Sequence, residues 1–211
     1  MIIDVWSDVV CPWCFIGKRR LEKALANIPL DVRSGIEVRH RAFQLQPDLQ
    51  VTTPTSALLA QKYQLDIEQV HAMQANVCSI ADGEGLCYEL DNTVSGNTAD
   101  AHRLLAWAKE LGKEDILLEA MYSGYFEKSK PLFSHEDLLA IVSEAGLDIA
   151  AAKAILDSEK FADQVKADAQ LAGQLGASGV PFFVVDMKYG ISGAQPLEVF
   201  EATIAQALAE V

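Results

Sequence analysis

The sequence has 211 residues, of which 50% are hydrophobic and 22% are charged, with the charges spread along the chain. A chain of this length and composition can bury one large core or two smaller ones. Its formal net charge of −13 argues against binding to nucleic acid or to an anionic membrane surface, because both require clusters of Lys and Arg.

A short apolar run from Ile2 to Trp6 opens the chain and predicts a buried strand. The next segment leads into a helical pattern and contains Cys11 and Cys14, which are separated by Pro12 and Trp13. Proline suits the first position of a helix, so Cys11 is the expected N-cap. The two cysteines therefore lie one turn apart at a helix start. Their Cβ atoms should be roughly 5–6 Å apart, which allows a disulfide after a modest adjustment.

The residues from 35 to 45 alternate between apolar and polar, which predicts a second strand and completes a β-α-β unit. Pro47 and Pro54 then interrupt the pattern, and we predict a domain boundary at residues 53/54.

Between residues 54 and 159 the pattern is helical. The predicted helices cover 56–63, 67–81, a segment that Asn97 or Thr98 caps, 115–126, 135–145, and a segment that begins near Asp148. A turn at 82–85 and a short extended passage up to Leu90 interrupt the series. Because these helices have apolar faces of their own, we expect them to form a compact subdomain.

The last part of the chain returns to the first pattern. It is predicted to contain a helix at 158–175, an apolar strand at 179–186, a brief partner strand at 191–193, and a final helix that Pro196 opens. Two alternating α/β segments therefore flank a helical insertion.

The pair Cys11 and Cys14 is interpreted as a redox-active dithiol. A helix N-terminus stabilises a thiolate, so Cys11 is the predicted nucleophile and Cys14 the thiol that resolves a mixed disulfide. A structural zinc site would need two more ligands at close spacing, and Cys78, Cys87 and the histidines do not provide that spacing. We therefore predict no metal site. A purely structural disulfide is disfavoured because it would close a very small loop.

Three parts of the chain together resemble one known family. They are residues 4–17 (DVWSDVVCPWCFIG), residues 97–104 (NTADAHRL), and residues 179–183 (GVPFF) with 191–195 (ISGAQ). The pattern resembles the DsbA-like thioredoxin-fold oxidoreductases, and most of all their FrnE-type cytosolic branch. The resemblance implies a thioredoxin fold, with a central mixed β-sheet flanked by helices and an inserted all-helical subdomain. The thioredoxin-like domain would comprise residues 1–53 and 160–211, and the insertion would comprise residues 54–159.

The resemblance also implies a set of site residues: the catalytic Cys11 and Cys14, with Pro12, Trp13, Val180 and Pro181 as supporting or substrate-binding residues. It implies a cis peptide bond between Val180 and Pro181, where the residues alone would predict an ordinary trans proline at a strand start. The backbone of Val180 would then pair with an extended substrate. Trp13 has two interpretations, a substrate contact and a packing role.

Four further residues keep two interpretations each. Asn97 is a candidate cleft residue, or it caps a helix. His102 is a candidate neighbour of the cysteines, or it has an ordinary structural role. Cys78 and Cys87 are candidates for a second disulfide, or they serve as small apolar side chains.

The predicted function is that of a cytoplasmic thiol–disulfide oxidoreductase, a protein disulfide oxidoreductase or isomerase that acts on protein or small-molecule disulfides and thiols. No bound cofactor is expected apart from the Cys11–Cys14 disulfide, with glutathione as a candidate co-substrate. The cytoplasmic assignment rests on the absence of a signal-peptide pattern after Met1 and of any apolar run of membrane-spanning length. No feature of the sequence predicts an oligomeric state.

Two alternatives remain open at this point. The first is a glutathione-dependent isomerase or transferase, similar to the 2-hydroxychromene-2-carboxylate isomerases and the kappa-class glutathione transferases. Those enzymes typically have a serine where the thiol chemistry begins, whereas this chain has two cysteines. The second alternative is a non-enzymatic chaperone that holds peptides beside Pro181.

Overall fold

The computed structural model describes residues 1–210 and shows the mixed α/β fold that the sequence predicts. The chain divides into two compact units, residues 1–45 with the chain from Lys166 onward, and Gln46–Val165. The domain boundaries expected from the sequence, 53/54 and 159/160, lie near these divisions, and the assignment of domains stays a prediction. Among residues 1–210 no helix is both long and apolar enough to cross a membrane.

The first unit contains a four-stranded sheet and the helices that cover it. Its elements in chain order are β1 (Ile2–Ser7), α1 (Pro12–Ala26), the short α2 (Leu30–Arg33), β2 (Glu37–Ala42), most of α9 (Ala162–Gln174), β5 (Phe182–Val185), β6 (Tyr189–Ser192) and α10 (Leu197–Leu208). The strand order is β2-β1-β5-β6. β1 is parallel to β2 and antiparallel to β5, and β5 is antiparallel to β6.

Side chains alternate between the two faces of the sheet, and each face has its own core. Ile3 and Val5 of β1 pack on one face with Phe200 of α10. Trp6 packs on the other face with Phe182 and with residues of α9. β1 is therefore covered on both sides, as its almost continuous apolar sequence predicts.

A buried ionic network fastens α9 to the strands. The Arg41 guanidinium donates to the carboxylate of Asp4 at 2.8 Å and to that of Asp168 at 3.1 Å. The same Asp168 accepts the backbone N–H of Ala42 through its side chain and the indole N–H of Trp6 through its carbonyl. Because these hydrogen bonds satisfy the two buried carboxylates, they hold α9 in register with β1 and β2.

The second unit is almost entirely helical. Its elements are β3 (Thr53–Pro54), α3 (Thr55–Tyr63), α4 (Ile67–Gly83), β4 (Val94–Ser95), α5 (Ala99–Glu110), α6 (Glu114–Lys128), α7 (His135–Glu144) and α8 (Ile149–Leu156). One pairing in this unit was not predicted from the sequence. β3 and β4 form a two-residue antiparallel ladder, which is too short to leave an alternating pattern. Residues 86–90, predicted as a short extended passage, form neither helix nor strand.

A buried arginine fixes the end of α8 to α5. The Arg103 side chain donates to the carbonyl of Ile155 at 2.5 Å, to that of Lys160 at 2.9 Å, and to the carboxylate of Asp100 at 2.7 Å. The Ile155 carbonyl also accepts the Ser158 N–H at 3.2 Å, so the guanidinium adds a charged donor to an end of α8 that is already capped.

Candidate active site

The turn from β1 to α1 places both cysteines at the start of a helix. Cys11 is the N-cap of α1, with an extended backbone, and Pro12 occupies the first helical position. The Cys11 N–H donates to the Asp8 carbonyl at 3.1 Å, and the Cys14 N–H donates to the Cys11 carbonyl at 2.9 Å. The side chain of Cys11 makes no capping hydrogen bond, so its thiol remains available for another partner.

That partner is the backbone of Val180. The Cys11 Sγ lies 3.5 Å from the Val180 carbonyl oxygen, to which the thiol donates. The bond between Val180 and Pro181 is cis, as the resemblance implied, and Pro181 is buried. The turn that carries Cys11 and the turn before β5 thus meet at the first thiol.

A glycine in α1 permits the close approach of this helix to Pro181. A Cβ atom at Gly17 would lie 3.0 Å from the Phe183 ring and 3.1 Å from the Pro181 ring, which is tighter than ordinary carbon contacts. The sequence analysis gave Gly17 no role. A single glycine in an amphipathic helix is a weak signal, because only the fold shows what packs against it.

Both thiols of the pair are free and buried. Cys11 is 4% exposed and Cys14 is 2% exposed. Burial is the largest cause that raises the pKa of the Cys14 thiol well above its ordinary value, and the hydrogen bond with Cys11 is the next. Cys14 is the more deeply covered thiol of the pair, and Cys11 is also buried, where its thiol meets the Val180 carbonyl.

Asp8 is a site residue that sequence reasoning missed. Its side chain is fully buried, at 0% exposure, and its carboxylate accepts the backbone N–H of Leu45 at 2.7 Å. Its negative charge contributes to raising the pKa of Cys14. The available signal was a second carboxylate, after Asp4, in the largely apolar stretch before Cys11, because a buried charge needs a partner or a purpose.

Pro12 and Trp13 lie between the two cysteines and are both half-buried. Part of Trp13 is therefore accessible, as a substrate contact requires. The choice between that contact and a packing role stays a prediction.

The other predicted site residues lie in the second unit. The Asn97 carbonyl oxygen Oδ1 accepts the Ala99 N–H at 2.8 Å, and its Nδ2 donates to the Pro47 carbonyl at 2.6 Å. Asn97 thus accepts a hydrogen bond from an N–H group at the start of α5, as a helix-capping residue does. His102 is buried within α5. A direct role of Asn97 or His102 in the chemistry stays a prediction.

Cys78 and Cys87 are free thiols in the structure. The Cys78 Sγ lies 3.7 Å from the Tyr88 carbonyl oxygen, and Cys87 is exposed. Their pairing in a second disulfide stays a prediction. Within residues 1–210, no group of three or more His, Cys, Asp or Glu side chains is arranged to hold a metal ion.

Solved structures with little sequence identity share this fold. A cytosolic disulfide reductase, DsbM from Pseudomonas aeruginosa, superposes with a TM-score of 0.66 at 16% identity, with all of both chains covered. A 2-hydroxychromene-2-carboxylate isomerase superposes with a TM-score of 0.68 at 14% identity, and the match covers 100% of this chain and 97% of the isomerase. These likenesses concern the fold alone, because one fold supports different chemistries.

A probable DsbA oxidoreductase from Streptomyces coelicolor is much more similar. It is 44% identical, with a TM-score of 0.95, over 100% of this chain and 91% of the other. The family described as the DsbA-like thioredoxin domain matches residues 2–205. The chain therefore belongs to the DsbA-like thioredoxin domain family.

Proposed function

We propose that this protein is a thiol–disulfide oxidoreductase in which Cys11 attacks and Cys14 resolves. The observation that carries the proposal is the paired thiols at the start of α1, one hydrogen-bonded to the Val180 carbonyl and both in contact with each other. A dithiol at a helix N-terminus is suited to form and break a disulfide, because the helix stabilises the thiolate that reacts.

The reaction proceeds in two exchange steps that need no other cofactor. The Cys11 thiolate attacks one sulfur of a substrate disulfide, forms a mixed disulfide, and releases the other substrate sulfur as a thiolate, which takes up a proton. Cys14 then loses its proton and attacks the Cys11 sulfur. The second step forms the Cys11–Cys14 disulfide and releases the reduced substrate. The reverse sequence oxidises a substrate dithiol.

The raised pKa of Cys14 keeps the two steps in order. Before the first step Cys14 is a protonated thiol and does not compete with Cys11 for the substrate. Once Cys11 is bound in a mixed disulfide, its thiol can no longer hydrogen-bond to Cys14 in the same way, and its charge is gone. Two causes of the raised pKa are then removed, so Cys14 becomes a better nucleophile when it is needed.

The substrate in this proposal is a protein or a small-molecule disulfide, with glutathione as a candidate thiol donor, in the cytoplasm. An extended substrate segment would pair with the backbone near Val180 and bring its sulfur to Cys11. This arrangement uses groups that already lie together at 3.5 Å.

The test uses two active-site variants and a matched control. Cys11→Ser is expected to lower disulfide exchange at least about a thousandfold, because it removes the nucleophile. Cys14→Ser should accumulate a mixed disulfide at Cys11 that intact mass and peptide mapping can locate. The control, Cys78→Ser with Cys87→Ser, should retain activity. Full exchange activity in both active-site variants would refute the proposal.

The same variants separate the two alternatives. A glutathione-dependent isomerase would turn over a non-disulfide substrate in a reaction that survives Cys14→Ser. A peptide-holding chaperone would suppress aggregation equally well without either active-site cysteine. The proposed oxidoreductase does neither.

A further inference from the structure

The second unit contains a cavity that the dithiol chemistry does not use. Its volume is about 670 Å³, within the range of small-molecule sites. It lies between α4 and the chain segment from Tyr88 to Asn92. The side chains that matter for its chemistry are His71, Gln74, Cys78, Asp82, Glu89 and Asp91.

One residue that lines the cavity has a buried hydrogen-bond acceptor with no donor among residues 1–210. Gln74 lines the cavity and is only 4% exposed, and its Nε2 donates to the Leu90 carbonyl at 3.3 Å. Its Oε1 accepts no hydrogen bond from residues 1–210. An unsatisfied buried polar atom is costly, so a ligand that donates to this oxygen would relieve that cost.

The cavity also carries an excess of negative charge. Asp91 pairs only with His71, at 3.3 Å, and the carboxylates of Asp82 and Glu89 form no ion pair within the described residues. The pKa of the Cys78 thiol is raised. Burial is the largest cause, and the negative charges of Asp82 and Asp91 raise the pKa further.

We propose that this cavity binds a small organic cation that carries a primary ammonium group. The ammonium N–H groups would donate to the Gln74 Oε1, and the carboxylates of Asp82, Glu89 and Asp91 would offset the charge. An anionic thiol compound such as glutathione is repelled by the same carboxylates. A metal ion is not the ligand, because no cluster of suitable ligands lies within residues 1–210.

Cys78 gives this site a covalent reporter. Cystamine, a symmetric disulfide with an ammonium group at each end, serves as the probe. The Cys78 thiol loses its proton and attacks one cystamine sulfur, a new disulfide forms, and the probe's own disulfide breaks. The leaving cysteamine thiolate takes up a proton, so electrons and protons balance without any further oxidant.

The experiment uses the full chain with Cys11→Ser and Cys14→Ser, so that Cys78 and Cys87 are the thiols that remain. The reduced protein is treated with cystamine or with the neutral 2-hydroxyethyl disulfide, and peptide mapping follows modification at each cysteine over time. Cys87 is exposed and does not line the cavity, so it serves as the internal control for the intrinsic reactivity of the two reagents. For each cysteine, the modification rate with cystamine is divided by the rate with 2-hydroxyethyl disulfide. The measured quantity is this preference for cystamine at Cys78 divided by the same preference at Cys87.

The proposal predicts a ratio of at least about tenfold, because a charge near two carboxylates gains roughly the free energy of one decade. Asp82→Asn with Asp91→Asn should reduce the ratio to near one, and Gln74→Met should lower it in part. Putrescine, which has two ammonium groups and no sulfur, should protect Cys78 against the neutral reagent. An equal preference at both cysteines, or no protection by putrescine, would overturn the proposal. Neither result depends on the exchange activity at Cys11.

Discussion

The two pairs of cysteines in this chain have the same chemistry in principle and very different surroundings. Cys11 and Cys14 lie at the N-terminus of α1, buried and in contact with each other. Cys78 lies late in α4, which ends at Gly83, and Cys87 is exposed beyond it. A helix N-terminus carries partial positive charge and favours a thiolate, whereas the C-terminal part disfavours one.

We expect the position of each thiol in the fold to set its reactivity, because both pairs contain two free thiols. The first pair has a helix N-terminus, the Val180 carbonyl and a second thiol one turn away. Cys78 has instead a half-buried site beside Asp82 and Asp91, whose charges oppose its ionisation. Disulfide exchange is therefore expected at the first pair, and selective capture of cationic reagents at Cys78.

The largest expected contrast is in alkylation by iodoacetamide. In the reduced protein, Cys14 should react at least about a hundredfold more slowly than Cys87, because it is buried and its pKa is well above the ordinary value. Each unit of raised pKa removes about tenfold from the thiolate fraction at neutral pH. Peptide mapping of a time course measures both rates in one sample. Comparable rates at the two positions would contradict the buried environment of Cys14.

The pH dependence of the resolving step gives the next contrast. In the mixed disulfide the largest cause, burial, still raises the pKa of Cys14, so the thiol is protonated at neutral pH and its thiolate fraction increases as pH rises. The rate at which Cys14 releases a mixed disulfide from Cys11 should therefore rise about tenfold per pH unit between pH 6 and 8. Rapid mixing with acid quench and mass analysis measures this rate. If the rate of the resolving step did not change between pH 6 and 8, the thiolate of a Cys14 with a raised pKa would not be the attacking group.

Asp8→Asn sharpens the same experiment. The substitution keeps an oxygen that can accept the Leu45 N–H, and it removes a negative charge that raises the pKa of Cys14. The pH profile of the rate at which Cys14 releases the mixed disulfide should therefore move to lower pH. At pH 7 this rate should be severalfold faster than in the unsubstituted protein. Slower resolution at every pH would show that the Asp8 carboxylate accepts the proton, and that its charge has little effect on Cys14.

The smallest expected effect concerns two glycines within helices. Gly17→Ala adds a Cβ 3.0 Å from the Phe183 ring, whereas Gly173→Ala in α9 adds one that meets nothing within 4 Å. Both substitutions gain similar helix propensity, so their difference isolates the contact behind the active site. Gly17→Ala should be less stable than Gly173→Ala by about 1–3 kcal/mol in urea unfolding. Equal stabilities would mean that α1 can shift without cost.

Much of the fold was predictable because it rests on local patterns. The apolar run of β1, the proline at the start of α1 and the amphipathic helices all left a signal, and the resemblance supplied the cis bond at Pro181. The rest depends on contacts between residues far apart in the chain. The ladder of β3 with β4, the burial of Cys11 by Val180 and the fit of Gly17 against Phe183 leave no periodic pattern to find.

The redox equilibrium of Cys11 and Cys14 against a series of glutathione buffers tests the central claim most directly. Alkylation, intact mass and peptide mapping count these thiols separately from Cys78 and Cys87. The account predicts one two-electron transition at Cys11 and Cys14, with a reduction potential between about −270 and about −120 mV. The proposed dithiol mechanism is wrong if these two cysteines stay reduced across the whole series. It is also wrong if they form only mixed disulfides with glutathione and never the Cys11–Cys14 disulfide.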